Sequence, residues 1–278
     1  MLKARIMTGV LFAAVVLAVV LFTSPALMAA LFALLVFGGM WEWAALARFT
    51  SRATRLMCTV LVAVTIAIGM RALGSFTHPD AAVLVAVLEP VLVFWALVSL
   101  VIKMYPAGVG VWGTRWVLLL VGLVVLVPPW LSLVYLRAQP HGGYLLVYVI
   151  ALIAFADMGA FFSGRRFGGP KLMPRVSPGK TWSGFCGGVL ASVLLALAVG
   201  IGMQLSGVRL GLWCVLAALV AVASVFGDLL ESMVKRHAGQ KDSGTLLPGH
   251  GGLLDRLDSL TAGLPVFVFV LARTGLLQ

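Results

Sequence analysis

Long apolar runs, rather than a regular alternation of apolar and polar positions, set the pattern of this chain. Nine stretches are long enough to cross a bilayer as helices, which takes about 20 residues each. They cover 6–22, 25–47, 54–74, 80–102, 114–136, 143–163, 183–204, 209–231 and 256–275. Turn-forming residues separate them: Ser24-Pro25, Gly74 to Pro79, Pro106 to Gly113, and Pro140-His141-Gly142-Gly143. The run from Ile6 to Phe22 follows Lys3 and Arg5 as a signal peptide would. It exceeds the roughly 7–15 apolar residues of such a signal and is followed at once by another run, so it is expected to be a retained first span. With no internal repeat and no low-complexity linker, residues 1–278 read as one all-α, polytopic transmembrane domain of about nine helices.

Composition strengthens this reading. Of 278 residues, 62% are hydrophobic and 10% charged, and the mean hydropathy is +1.12. Soluble domains carry about 25% charged residues. Too little polar material is present to cover a water-facing surface, whereas a bilayer meets apolar side chains with lipid. The net charge of +11 would raise nucleic acid as a partner of a soluble protein. Here it reads as the excess of Lys and Arg in cytoplasmic loops, and no nucleic-acid partner is expected. With the N-terminus inside and nine alternating spans, only Arg71, Arg137, Arg209 and Arg273 of the 20 basic residues fall on the outer side. The bias predicts an N-in, C-out topology. Cys58, Cys186 and Cys214 form no CxxC pair or His/Cys cluster, so neither a disulfide framework nor a zinc site is expected.

Two cytoplasmic segments stand out by length and chemistry, 164–182 and 232–255. Five of the nine acidic residues, Asp228, Glu231, Asp242, Asp255 and Asp258, lie at the second segment or its borders. A charge at or inside a span is costly without a partner and marks function. Ser232 and Lys235 share a helical face with Asp228, and Asp255 and Asp258 share another. Two helix ends can thus bring carboxylates together, an arrangement that calls for cations. Mg²⁺ binds through one or two carboxylates plus substrate phosphates. Lys235, Arg236, Lys241 and Arg256 supply the charge that phosphate needs. Pro248-Gly249-His250-Gly251-Gly252 leads into a helix N-terminus, whose free N–H groups are expected to face phosphate. A salt-bridged loop that merely closes the bundle would have the same composition.

The first segment adds Asp157 inside a span, then Lys171, Ser177, Lys180 and Thr181. Gly179-Lys180-Thr181 imitates the end of a P-loop, but Pro174 stands where that pattern needs glycine. Trp41-Glu42-Trp43 reads as an interfacial anchor with a buried carboxylate, contact with a lipid headgroup being the alternative.

Residues 232–258 contain Ser232-Met233-Val234-Lys235-Arg236, Lys241-Asp242-Ser243-Gly244 and Leu247-Pro248-Gly249-His250-Gly251-Gly252-Leu253-Leu254-Asp255-Arg256-Leu257-Asp258. This constellation resembles the motif of the phosphatidate cytidylyltransferase (CDP-diacylglycerol synthase) family along its whole length. Gly227 to Ser232, Asp157 to Arg165, and Ser177 to Trp182 are similar to the family as well; Gly179 stands where the family often has a second Lys. The resemblance implies that CTP and phosphatidic acid give CDP-diacylglycerol and pyrophosphate for phospholipid biosynthesis, at the cytoplasmic face of the cell's inner membrane. It further implies Mg²⁺ held at Asp228 and Asp255, with a monovalent cation such as K⁺ nearby, and a homodimer. On this reading Lys235, Arg236, Lys241 and Arg256 hold phosphate oxygens, while Asp242, Asp258 and His250 orient metal, water or basic side chains. Asp157, Lys171, Ser177, Lys180, Thr181, Ser232, Gly251 and Gly252 complete the substrate site.

Two related enzyme classes share the logic, a CTP-dependent lipid kinase and an archaeal-type lipid cytidylyltransferase. A cation transporter would also carry intramembrane acids, but such sites usually sit near the midplane in repeated halves. Here the acids gather at one face and no repeat is visible.

Overall fold

The computed structural model describes residues 2–244 and 251–276, with backbone alone for 2–10 and 12. Pro248, Gly249 and His250 lie outside the described residues. The chain forms α1 (Leu2–Phe22), α2 (Pro25–Leu46), α3 (Arg52–Leu73), α4 (Ala81–Met104), α5 (Val109–Trp112), α6 (Arg115–Ala138) and α7 (Gly142–Phe167). A two-stranded hairpin follows, β1 (Lys171–Met173) and β2 (Ser177–Thr181), and then α8 (Trp182–Gly202), α9 (Gly207–His237) and α10 (Leu254–Thr274). Eight of these helices, α2–α4 and α6–α10, are long and apolar enough to cross a membrane; α1 adds a shorter apolar stretch, Ala13–Phe22. The protein is a multi-pass, helical membrane protein.

Hydrogen-bond economy explains the choice of elements. In hydrocarbon each backbone N–H and C=O needs a partner, and a helix supplies one within its own segment. Helix starts follow local chemistry. Ser24 and Ser51 cap α2 and α3 by accepting from the N–H groups of Leu27 and Thr54, and Asp80 caps α4 through Ala82 and Val83. The side chains of Leu56, Met57, Leu97, Leu190 and Leu194 are more than half exposed, as suits lipid rather than water.

Indole N–H groups tie the helices that carry few other polar atoms. Trp43 of α2 donates to the Leu118 carbonyl of α6 at 2.7 Å, and Trp130 of α6 donates back to the Ala29 carbonyl at 2.9 Å. Gly122 lets the Trp43 ring approach α6, since a Cβ there would lie 2.5 Å from it.

Two element boundaries differ from the sequence reading. Gly164 to Phe167 continue α7, and the rest of the first polar segment folds as an antiparallel hairpin in which Lys171 faces Thr181. A Gly- and Pro-rich stretch looks like loop from composition, yet its extended backbone satisfies itself by pairing. Likewise Ser232 to His237 are not loop but the last turns of α9. With 31 residues, α9 is roughly 46 Å long, more than the hydrocarbon core needs. Its end is latched by Arg48, which donates to the His237 carbonyl at 2.9 Å, and by His237 Nε2, which lies 3.0 Å from the Gly113 carbonyl beyond α5.

Candidate active site

Four helices and the hairpin bring the separated polar residues together. The α9–α10 crossing comes first. At Gly227 a side chain would run into the Asp258 carbonyl oxygen and reach Thr261, so only glycine permits this approach. The next residue is Asp228, which is thereby set beside Asp258, and the two carboxylates act on one another electrostatically. On the other side α7 and α8 meet through small residues, with Gly159 facing Gly187 and Gly188 facing Ala156. That contact places Asp157 within electrostatic reach of both Lys180 and Asp228.

Lys180 joins the two halves. Its Nζ lies 2.6 Å from Asp228 Oδ2, so strand β2 is tied to α9 by an ion pair. Ser232, one turn beyond Asp228, donates to Oδ1 at 3.1 Å. One turn further, Lys235 is only 8% exposed. Its Nζ lies 2.5 Å from Asp255 Oδ1 and 3.1 Å from Glu231 Oε1. The Glu231 contact is an ion pair by distance but lacks hydrogen-bond geometry, which leaves that buried oxygen without a hydrogen-bond partner.

Asp255 is fully engaged. Oδ1 accepts from Lys235, while Oδ2 accepts from the N–H of Ser243 at 3.0 Å, the Ser243 hydroxyl at 3.0 Å and the N–H of Gly252 at 2.8 Å. Beyond it, the N–H groups of Leu253 and Leu254 donate to Glu42 of α2, at 3.1 and 2.9 Å. This corrects two expectations. The N–H groups that open α10 are not free for phosphate, because carboxylates of the protein take them. Glu42 is not open to the surface as a headgroup contact would need; it is 3% exposed and caps α10 from another helix.

A cavity of about 510 Å³ opens between α7, the hairpin, α8 and α9. Asp157, Arg165, Lys171 and Lys180 line its polar part, and Phe161, Phe185 and Val225 contribute to an apolar part. Sequence reasoning did not name Arg165 for the site; its position in the last turn of α7, beside Gly164, was the available signal. Thr181 also lines this cavity, but its hydroxyl accepts from Gly184 N–H at 3.1 Å and so caps α8. Ser177 pairs with Met173 in the hairpin. Arg236 is exposed and donates to the Gln240 carbonyl at 3.2 Å. Lys241, Asp242 and Arg256 are exposed at the rim, and Gly251 adopts a positive φ of 82° beside Asp255. Among the described residues no three His, Cys, Asp or Glu side chains converge as a ready-made metal cage.

Comparison with known proteins adds what geometry alone leaves open. The model of the cytidylyltransferase family matches residues 3–273. A Pseudomonas aeruginosa phosphatidate cytidylyltransferase is 44% identical over 275 residues, which cover 99% of this chain and 98% of that protein. The Haemophilus influenzae phosphatidate cytidylyltransferase is 37% identical, with 97% and 98% covered. One from Brucella suis is 50% identical over 135 residues, 48% of each chain. A match of this length, spanning both halves of the polar site, means that the chain belongs to the cytidylyltransferase family.

Proposed function

We propose that this protein is a phosphatidate cytidylyltransferase, which converts CTP and phosphatidic acid into CDP-diacylglycerol and pyrophosphate. The observation that carries the reading is near-full-length similarity to relatives of that name, joined to a cavity lined by both basic and apolar side chains. A lipid phosphate needs that pairing, with cations for the headgroup and apolar walls for the chains. An inner-membrane location with the site facing the cytoplasm belongs to the same proposal and rests on the bacterial relatives and the distribution of Lys and Arg. So does the homodimer implied by the family resemblance, which light scattering of the detergent-solubilised protein would test.

In the proposed reaction a phosphate oxygen of phosphatidic acid attacks the α-phosphorus of CTP, and the bond to the β-phosphate oxygen breaks. The nucleophile is already anionic, so general-base help contributes little. The barrier is repulsion between two phosphates, and the residues at hand address it. Arg165, Lys171 and Lys180 line the cavity as phosphate ligands. Lys235 stands between Glu231 and Asp255 with a fixed head position. Asp228 holds Lys180 at the junction of hairpin and α9.

Mg²⁺ is part of the proposal. Asp157, Asp228 and Asp258 act on each other or on the shared Lys180, and Mg²⁺ commonly takes one or two carboxylates and completes its shell with phosphates. The donor set fits. Asp228 would hold the ion, and Asp255 would join it only by exchanging hydrogen bonds it now accepts; K⁺ would sit near the same acids. When bound, the divalent ion would neutralise triphosphate and leaving pyrophosphate charge. The test is cytidylyl transfer by purified protein given CTP, phosphatidic acid and Mg²⁺. CMP-lipid with pyrophosphate is the expected product pair. CDP with a phosphorylated lipid would instead make it a kinase, and no turnover would overturn the reading.

A further inference from the structure

Glu42 is the outlier among the buried acids. It comes from α2, far in sequence from the polar segments, and its partners are an N-terminus and a serine rather than a basic side chain. Oε1 accepts from Leu253 N–H; Oε2 accepts from Leu254 N–H and, at 3.0 Å, from the Ser243 hydroxyl. Negative charge at a helix N-terminus is favourable. The niche is shaped for it: a Cβ on Gly244 would run into Oε1, and one on Gly252 would lie 2.6 Å from Oε2. The Ser243 hydroxyl stands 3.0 Å from Glu42 Oε2 and 3.0 Å from Asp255 Oδ2. A hydroxyl carries a single proton, so one proton serves two carboxylates and couples them. The chain of contacts runs from Glu42 through Ser243 to Asp255 and on to Lys235.

We infer that Glu42 is a positioning residue for cytidylyl transfer, which locks Ser243 and the start of α10 so that Asp255 holds Lys235 in place. The inference rests on the proposed reaction for its catalytic part only. A carboxylate is required because each oxygen faces a backbone N–H, of Leu253 or of Leu254, that can only donate. In Glu42→Gln one oxygen becomes an NH₂ group that must face a donor, while the size is unchanged.

Two readouts on the full-length protein in detergent test this, with Glu42→Gln, Ser243→Ala, the double variant and Glu42→Asp. The first is amide hydrogen exchange. Glu42→Gln should speed exchange in 251–258 and at Ser243 and Gly244, with α3, α4 and α8 unchanged. The second is steady-state turnover. kcat should fall about tenfold or more with KM for CTP and phosphatidic acid within about threefold. The double variant should lose no more kcat than the worse single variant, because both act through Asp255, and Glu42→Asp should recover part of the loss. Unchanged exchange in 251–258, or a loosening spread over the whole bundle, overturns the inference, as does normal kcat. If the wild-type chain transfers no cytidylyl group, the functional reading fails instead, and the exchange data still decide whether Glu42 holds this segment.

Discussion

Lys235 and Asp255 show how single residues are made useful at a membrane boundary. Burying either alone would cost several kcal/mol, about 3–5 when one partner of a buried pair is lost. Together with Ser243 and Gly252 they form one connected set. Asp255→Asn keeps the shape but replaces one accepting oxygen by a donor that faces Lys235 or two backbone N–H groups. We expect cytidylyl transfer to fall by about 10²-fold or more, the scale of losing one preorganised charged group, with the protein still folded in detergent. Incorporation of labelled CTP into lipid measures it. Lys180 offers a second case. It pairs with Asp228 at 2.6 Å but is about a quarter exposed, so the pair adds little stability after solvent screening. Lys180→Ala should therefore cost activity while leaving the melting temperature within about 2 °C; a large drop in melting temperature with normal turnover would reverse the assignment. Asp228, Asp255 and Lys235 were legible from residue type and spacing. The burial of Glu42 was legible too, but its partners were not, because they lie more than 200 positions away in sequence.

At the scale of elements, glycine positions decide where helices meet. Gly227 brings α9 against the Asp258 carbonyl, and Gly211, on the same helix, faces open space. Gly227→Ala should therefore destabilise by about 1–3 kcal/mol, as overpacking does, whereas Gly211→Ala should be near neutral. Thermal unfolding in one detergent compares them, and equal effects would mean that the α9–α10 contact is not tight. Hydropathy located the eight long helices closely, because an apolar run of that length has few other folds. It did not foresee the hairpin of β1 and β2 or the extension of α9 through His237. Both lie where polar sequence resumes, and pairing or capping partners, rather than hydropathy, set the structure there.

For the whole molecule the distribution of Lys and Arg predicts orientation. A cysteine placed at His78 should react with a membrane-impermeant maleimide in intact cells, and one placed at Arg175 only after permeabilisation, in a background without the three native cysteines. The reverse pattern would put the site outside and remove it from CTP. The sequence by itself determined that this is a helical membrane protein, which polar segments carry its chemistry and which family it resembles. These follow from composition, run length and local motif, all of which act over short stretches of chain. Only the tertiary structure decided that α10 begins on carboxylates rather than on open N–H groups, that Lys180 bridges to Asp228, and that Arg165 enters the cavity. Those are contacts between segments distant in sequence, and helix packing, not local pattern, selects them.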